Sequence, residues 1–441
     1  MRFALRRMTR PVAQFARPSP SLYFRGMAST STFQIPADVR PLTATDKANV
    51  SATAPILAEH GLAITKDMYR VMLSENPDLK NIFSIPAQNN GDQPKALAGA
   101  VHAYAANIND LSPLVPTVVR IAEKHAALGI KPEHYAVVAE NLLAAIQRIL
   151  GDAFTPELKE SWYHAYWQLA KIFIDAEADL LAKAAWDGWK EFRITGHLDE
   201  TYQIASLEFV PVDPAMLPLK PYKPGQFITI RCKIPSLGVY QCRHYSLSDS
   251  PSDDRYRITV KREDLDGGSV PDGLVSTHLH KLPIGATIEC SFPTGSFHLP
   301  NPLPEHVVFL SGGVGITPNM SMFNTLIEDG AKTKISWIQA VQTKNHHVFQ
   351  RHVDRLVKLS AGRIKSKAYY SEGPAVGPNT EEGFIDLKKL DEDMLALKDN
   401  KSQYYVCGPD PFMTKMVADL KERGVDPANI HYEAFRAGEV E

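Results

Sequence analysis

Four consecutive residues in the middle of the chain combine a cation, an imidazole, an aromatic ring and a hydroxyl on one predicted strand. They follow Pro224-Gly225-Gln226-Phe227 and are Arg243, His244, Tyr245 and Ser246. An arginine can pair bidentately with a pyrophosphate, a tyrosine ring can cover a flat heterocycle, and a serine hydroxyl can hydrogen-bond a ring nitrogen. Together these groups suit a flavin dinucleotide, although the tetrapeptide alone could equally belong to an ordinary strand.

Two further turns have the composition of phosphate-binding loops. Each follows a short apolar strand, and backbone N–H groups in such a turn can approach a phosphate at the start of a helix. Either turn alone could be structural, but two in one domain favour NADH or NADPH as a ligand. The first turn contains Ser311, Gly312, Gly313, Val314, Gly315, Ile316, Thr317 and Pro318, and the second contains Cys407, Gly408 and Pro409.

The first part of the chain is predicted to be all α-helical. From about residue 42 to 185, apolar residues recur at three- and four-residue spacing, and Gly or Pro residues separate the segments. The predicted helices are Ile56–Leu73, Ala96–Ile108, Val115–Leu128, Tyr135–Leu150 and Leu158–Leu181.

The remainder of the chain is predicted to form two β-containing domains. After Trp189 the apolar period changes to two between Pro- and Gly-rich turns, which predicts a small antiparallel β-barrel. From Val307 strands alternate with helices, which predicts a parallel sheet with crossover helices. The predicted domains are a targeting segment (1–37), a helical domain (38–186), the barrel (187–301) and the α/β domain (302–441).

Composition favours a small-molecule partner. The 441 residues carry a formal charge of −2, with 44% hydrophobic and 22% charged residues, so bulk charge predicts neither nucleic acid nor an anionic membrane as partner. Four cysteines lie far apart and suggest neither a disulfide framework nor a zinc site. No apolar run approaches the roughly 20 residues of a transmembrane helix. We expect a monomer.

The first 37 residues have the composition of a mitochondrial presequence. Arginines alternate with Phe3, Leu5, Val12 and Phe15 in a pattern that permits an amphipathic helix, and no acidic residue precedes Asp38. A disordered basic tail is the alternative interpretation. We predict import into the mitochondrial matrix, with Met27 as a second start that would yield a cytosolic form.

The barrel and α/β motifs resemble the ferredoxin-reductase-like family, whose barrel binds FAD through an Arg-x-Tyr-Ser strand. Val260-Lys261-Arg262-Glu263 matches the next strand of that family, and Gly273–His278 matches the following loop. Glu433-Ala434-Phe435 matches the segment that places an aromatic ring beside the flavin. The chain departs from many relatives at Ala434, where they have cysteine, and at Phe227, where bacterial members often have tyrosine. We therefore assign Gln226, Phe227, Lys261, Glu433 and Phe435 to the cofactor site.

The helical domain resembles the globins, and the whole chain resembles the flavohaemoglobins. Three segments, 76–83, 90–93 and 121–125, match successive globin landmarks in order and spacing. In flavohaemoglobins these landmarks supply a ring-packing phenylalanine, a distal glutamine and a proximal histidine. The resemblance thus implies that Phe83, Gln93 and His125 contact a haem b, with His125 as the iron ligand.

Further residues of the haem site follow from the same resemblance. Gln93 and Leu97 stand four apart, so a helix would direct both at one distal cavity. Tyr69 matches a tyrosine whose hydroxyl donates to the bound oxygen, although from its own sequence context it could equally be a core aromatic. Tyr135 and Glu177 match a pair of residues behind the proximal histidine, a carboxylate-backed arrangement that assists O–O chemistry. Lys124 and Glu433 are expected near the haem–flavin junction.

The resemblance implies a nitric oxide dioxygenase that converts nitric oxide to nitrate with O2 and NAD(P)H, through FAD and haem. Two alternatives belong to other classes of protein. One is an oxygen- or redox-sensing globin whose reductase only resets the haem, and the other is a general NAD(P)H-dependent electron donor with an incidental globin. Nothing in the sequence separates NADH from NADPH.

Overall fold

A computed structural model describes residues 33–263 and 273–435 of the chain. The described part of the helical domain packs around one apolar core that includes Ile64, Met68, Met72 and Trp162, each at most 3% exposed. Its α-helices are α1 Ala44–Ala52, α2 Ala54–Glu75, α3 Ile85–Asn89, α4 Asp92–Ala106, α5 Val115–Leu128, α6 Pro132–Leu150 and α7 Pro156–Lys183.

Local sequence accounts for where these helices begin and end. Proline occupies the first turn of α5, α6 and α7, where its missing N–H has no intrahelical partner to lose. The hydroxyl of Thr155 accepts from the Leu158 N–H at the start of α7. Gly129 ends α5 with a φ of +71°, a left-handed conformation that glycine adopts without strain.

The second unit is a six-stranded antiparallel sheet in the order β4-β3-β6-β1-β2-β5. The two outer strands meet through a bridge between Leu247 and Ile258, which closes the sheet as the predicted barrel requires. Trp186 packs against its core, although the predicted boundary placed this residue in the helical domain. The elements are β1 Lys190–Asp199, β2 Ile204–Pro211, β3 Phe227–Ile234, β4 Val239–Ser246, β5 Tyr256–Lys261, α8 Leu274–Lys281 and β6 Thr287–Cys290.

The third unit is a parallel sheet in the order β10-β9-β8-β7-β11-β12, with apolar cores on both faces. The strand order reverses between β7 and β11, and ligands of such sheets bind at the carboxyl ends of the strands beside that reversal. The elements are β7 His306–Gly312, α9 Ile316–Glu328, β8 Lys334–Val341, α10 Gln350–Leu359, β9 Ile364–Tyr370, β10 Thr380–Glu382, α11 Glu392–Leu395, β11 Gln403–Cys407, α12 Asp410–Glu422 and β12 Ile430–Glu433.

The predicted fold class is confirmed in all three units, and the differences from it are local. Residues 273–278 were expected as a loop, but α8 begins at Leu274, because Gly273 caps it with a φ of +74° and the helix buries Val275 and Leu279 in the barrel core. Strand β12 was not predicted, since four residues carry too little periodicity.

Met27 and most of the predicted targeting segment lie outside the described residues. Within residues 33–263 and 273–435, no helix combines the length and apolar character needed to cross a bilayer.

Candidate functional site

Three helices bring together a histidine, a tyrosine and a carboxylate. The Nδ1 atom of His125 on α5 lies 2.9 Å from Oε1 of Glu177 on α7 and 3.0 Å from the hydroxyl of Tyr135 on α6. That hydroxyl donates to the same carboxylate oxygen at 2.5 Å. Burial, together with the neighbouring Glu177 charge, raises the pKa of Tyr135, so its hydroxyl stays protonated and able to donate.

This arrangement leaves Nε2 of His125 as the nitrogen that can coordinate a metal. A carboxylate at Nδ1 fixes the tautomer and orientation of the ring and makes the imidazole a stronger donor. The His125 side chain keeps 32% exposure, whereas that of Glu177 keeps 4%. The centroid of the His125 ring lies 5.7 Å from that of the Phe173 ring. The donor set therefore fits the proximal side of a haem.

The predicted distal residues also lie together. Tyr69 on α2 is 7% exposed, and its ring meets the edge of Phe83 at a centroid distance of 5.5 Å. Burial raises the pKa of Tyr69, while hydrogen bonding with Gln93 acts in the opposite direction. Gln93, in the first turn of α4, accepts from Gln88 Nε2 at 2.9 Å. Leu97, one turn further along α4, packs against the same apolar core to which Tyr69 belongs, so the tyrosine hydroxyl stands among mainly apolar side chains.

A cleft lies where the three units meet. Its walls come from the barrel strands, the glycine-rich turn, the C-terminal segment and one residue of α5. The predicted flavin residues that line it are Phe227, His244, Tyr245, Ser246, Lys261, Glu433 and Phe435, and they are joined by Lys124, Val314 and Thr317.

Two polar residues of this cleft were not predicted from the sequence. Thr259 and Glu263 stand two residues before and after Lys261, and both line the cleft with it. Side chains two apart along a strand share a face, so extending the Lys261 assignment by period two would have found them. Lys261 Nζ pairs with Glu263 Oε1 at 3.2 Å, and Thr259 shares hydrogen bonds with Ser206 and Ser248.

Some predicted cofactor residues contribute to the fold around the cleft without lining it. Ile316 and Cys407 are fully buried in the core of the α/β domain. Gln226 uses its amide to join two loops, accepting from the Lys223 N–H in its own loop and donating to the Gly295 carbonyl 69 positions away. Gln226, Arg243, Gly313, Gly315, Ile316, Pro318, Cys407, Gly408 and Pro409 are outside the lining.

The cleft is also shaped by charge. Burial raises the pKa of Glu433, opposed by the nearby Lys124 and Arg120 cations. His244 retains some exposed surface, but burial, reinforced by the Lys124 and Arg243 charges, lowers its pKa to about 3. His244 is therefore neutral at physiological pH, and its Nδ1 lies 2.8 Å from the hydroxyl of Thr229.

At the carboxyl ends of β7 and β11, two glycine turns pack backbone against backbone. A Cβ on Gly408 would lie 2.8 Å from the Phe412 ring and 2.9 Å from the Gly312 nitrogen, so a larger residue there would force the turns apart. Gly313 has a φ of +53°, and a Cβ on it would meet no described atom within 4 Å. An open glycine turn at the strand-order reversal fits the close approach of a nucleotide phosphate.

Comparison with known proteins gives the same order of units. The chain matches the globin family over residues 66–173, the oxidoreductase FAD-binding domain over 215–299 and the oxidoreductase NAD-binding domain over 309–419. Each range falls inside one predicted domain, and the boundaries themselves stay predictions.

Similar proteins cover nearly the whole described chain. A flavohemoprotein of Halalkalibacterium halodurans is 42% identical over 395 residues, which are 88% of this chain and 95% of that protein. The crystal structure of a Malassezia yamatoensis flavohemoglobin with bound FAD and heme covers 89% of this chain and 99% of its own, at 27% identity and a TM-score of 0.78. The FAD/NAD-binding domain of a Vibrio cholerae nitric oxide dioxygenase covers 56% of this chain and 98% of its own, at 28% identity and a TM-score of 0.50.

The fold and the site define a globin fused to a flavin-dependent, pyridine-nucleotide reductase. Within that class, the extent and identity of the matches show that the chain belongs to the flavohaemoglobin family.

Proposed function

We propose that this protein is a nitric oxide dioxygenase, which oxidises nitric oxide to nitrate with O2 and takes its electrons from NADH or NADPH. One observation carries the proposal. Two consecutive residues of α5 serve the two halves of the molecule: His125 faces the Tyr135–Glu177 pair, and Lys124 lines the cleft of the reductase. The residue assigned to the haem and a residue of the reductase cleft are therefore neighbours in the same helix.

The bound cofactors would supply chemistry that no side chain provides: FAD would accept one hydride, which carries two electrons, from NAD(P)H and pass the electrons on singly, and haem b would bind oxygen. On the proximal side, Glu177 accepts the Nδ1 proton of His125 in a hydrogen bond and makes that imidazole a stronger donor. On the distal side, the Tyr69 hydroxyl can donate to a ligand that gains negative charge. Phe83 and Leu97 add apolar surface on this side, which would restrict the access of water.

On the reductase side, the residues of the cleft bind and orient. Tyr245 and Phe227 offer rings for a flat heterocycle, and Ser246 offers a hydroxyl on the same strand end. The ammonium of Lys124 donates to the Ala434 carbonyl at 3.2 Å, which fastens α5 to the C-terminal segment. This contact keeps the globin against the cleft.

The test measures NAD(P)H oxidation by purified holoprotein in air, with and without nitric oxide. We expect oxidation to rise on addition of nitric oxide and nitrate to form in proportion to the nitric oxide lost. A sensing globin would bind nitric oxide without sustained turnover, and a general electron donor would oxidise NAD(P)H with ferric or quinone acceptors at a rate that nitric oxide does not raise. Either result would contradict the proposal.

We further propose that residues 1–37 direct import into the mitochondrial matrix, supported by their arginine content and the lack of acidic residues before Asp38. The test fuses residues 1–37 to a fluorescent reporter and compares it with a reporter fused to a segment starting at Met27. Mitochondrial location of the first and cytosolic location of the second are expected, and cytosolic location of both would contradict import. We also propose a monomer, which light scattering of the purified holoprotein can test.

A further inference from the structure

We propose that Gln241 of the barrel is a positioning residue for the distal side of the globin, acting through the segment 80–85. This inference rests on the proposed function only in assuming that the helical domain binds haem. The residue lies on β4 and is 1% exposed. Its Oε1 accepts from the Ile85 N–H at 3.0 Å, and its Nε2 donates to the Lys80 carbonyl at 3.2 Å. We refer to these two contacts as the Gln241 clamp.

The clamp is continued by the residues on either side of Gln241. The backbone N–H of Tyr240 donates to Asn81 Oδ1 at 2.9 Å, and Cys242 Sγ lies 3.7 Å from the Asn81 carbonyl oxygen. Three successive residues of the barrel strand therefore hold one short stretch of the globin, through its backbone and the Asn81 side chain. Because a buried amide needs both its donor and its acceptor satisfied, Gln241 fixes the separation of Lys80 and Ile85 as well as their distance from β4.

The stretch 80–85 contains a residue of the proposed distal side. Phe83 lies between Asn81 and Ile85 in the chain, and its ring meets the ring of Tyr69 at 5.5 Å. A shift of the 80–85 backbone would move Phe83 and change the packing that orients the Tyr69 hydroxyl. Tyr69 is 7% exposed, so it has little room to keep its orientation independently.

The same strand reaches the flavin cleft at its other end. His244, Tyr245 and Ser246 line the cleft and follow Gln241 by three to five residues on β4. One strand thus holds the distal segment of the globin with its first half and lines the electron-supplying cleft with its second half. We infer that the reductase contributes to the oxygen-binding geometry as well as delivering electrons.

The test uses holoprotein with haem and FAD bound and compares Gln241→Leu with Tyr240→Phe. The leucine variant removes both hydrogen bonds of the clamp, together with the bond that Gln241 Nε2 donates to the Tyr240 carbonyl within the strand. The control, Tyr240→Phe, keeps the backbone N–H that donates to Asn81 and keeps an aromatic ring 4.8 Å from the Arg231 guanidinium. Two readouts besides turnover are the C–O stretching frequency after addition of carbon monoxide to the reduced protein, and the oxygen dissociation rate.

We expect the C–O stretch to shift and oxygen to dissociate about 2- to 30-fold faster in Gln241→Leu, a range typical of coupling through packed residues, with no change in Tyr240→Phe. A merely adhesive role would raise hydrogen exchange at the Ile85 amide and leave both readouts unchanged, which would overturn the proposal. If Gln241→Leu does not fold, Gln241→Glu replaces it in the same two measurements. The glutamate keeps the shape of the side chain but places an acceptor oxygen against the Lys80 carbonyl, so that hydrogen bond is lost.

A double-mutant cycle tests the route. In a Tyr69→Phe background, Gln241→Leu should have little further effect, since the hydroxyl that it displaces is gone. Equal effects in both backgrounds would overturn the Phe83–Tyr69 route. Holoprotein that shows these shifts but fails to convert nitric oxide would contradict the proposed function and leave this inference standing.

Discussion

The two sides of the proposed haem site are built from different interactions. On the proximal side, His125, Tyr135 and Glu177 form a closed set of hydrogen bonds at 2.5 to 3.0 Å that ties α5, α6 and α7 together. On the distal side, Tyr69 is held by the edge of the Phe83 ring and by hydrogen bonding with the neutral amide of Gln93, which in turn accepts from Gln88.

This difference determines on which side of the proposed haem site the side chains can change their orientation. Charge-assisted hydrogen bonds prescribe both distance and angle, so the proximal ligand has one orientation. Aromatic packing and neutral amide contacts permit small rotations, so the distal side can respond to a ligand or to the neighbouring barrel. The variants below test this contrast between a fixed and an adjustable side.

The largest expected effect follows His125→Ala. This change removes the only side chain assigned to hold the iron, so the purified protein should lose its Soret absorbance and its nitric oxide turnover while keeping its flavin absorbance. His134→Ala, which removes the acceptor of the Lys131 N–H on the adjacent loop, should keep both chromophores. Turnover that survives His125→Ala would contradict a haem-centred function.

Glu177→Gln is expected to lower turnover by about 10- to 100-fold, the usual cost of removing a partner behind a metal-bound histidine. The amide keeps the shape of the side chain but removes the charge that makes His125 a strong donor. The iron–histidine stretching frequency of the reduced protein should fall in parallel. Asp175→Asn on the same helix breaks only a surface pair with Lys171 and serves as the control. An unchanged stretching frequency in Glu177→Gln would count against the fixed proximal side.

Tyr69→Phe tests the distal side and should speed oxygen dissociation about tenfold, since one hydrogen bond contributes on the order of 1.4 kcal/mol. The ring contact with Phe83 is kept. Tyr104→Phe removes another buried hydroxyl, which donates to the Ala165 carbonyl, and should lower stability without changing oxygen dissociation. If both variants behaved alike, Tyr69 would be a core aromatic, the alternative that the sequence left open.

The smallest expected effect concerns the cleft and appears only in acid. His244 has an ordinary pKa of 6.5 and a folded pKa of about 3, so protonation favours the unfolded state. Above pH 6.5 the imidazole is neutral in both states and costs no stability. As the pH falls from 6.5 toward 3, the unfolded state binds the proton first, so the free energy of unfolding decreases. His244→Gln should therefore move the midpoint of acid unfolding, followed by fluorescence, to lower pH. His60→Gln, where the side chain is 44% exposed, should leave the midpoint unchanged, and equal shifts in both variants would contradict an effect of burial at His244.

The sequence predicted the site best where a motif was local. The Arg243–Ser246 strand and the glycine turns contain their own chemical logic within a few residues, and most of the strand does line the cleft. Thr259 and Glu263 were missed although strand periodicity points to them, because only Lys261 of this motif was assigned to the site and its period-two neighbours were not. Gln241 gave no signal at all, since a glutamine in a strand is usually a solvent-facing side chain.

By itself, the sequence determined the element types and their order. Apolar spacing of three and four residues specifies helices, period two specifies the barrel strands, and proline or glycine marks their ends, all through interactions within a few residues. No local pattern brings His125 to Glu177, 52 positions away, or Gln241 to Ile85, 156 positions away. The first pair was expected only through the resemblance to the flavohaemoglobins, and the second emerged only from the tertiary structure. Such contacts depend on how whole helices and sheets bury their apolar faces against one another, a geometry that no local pattern encodes.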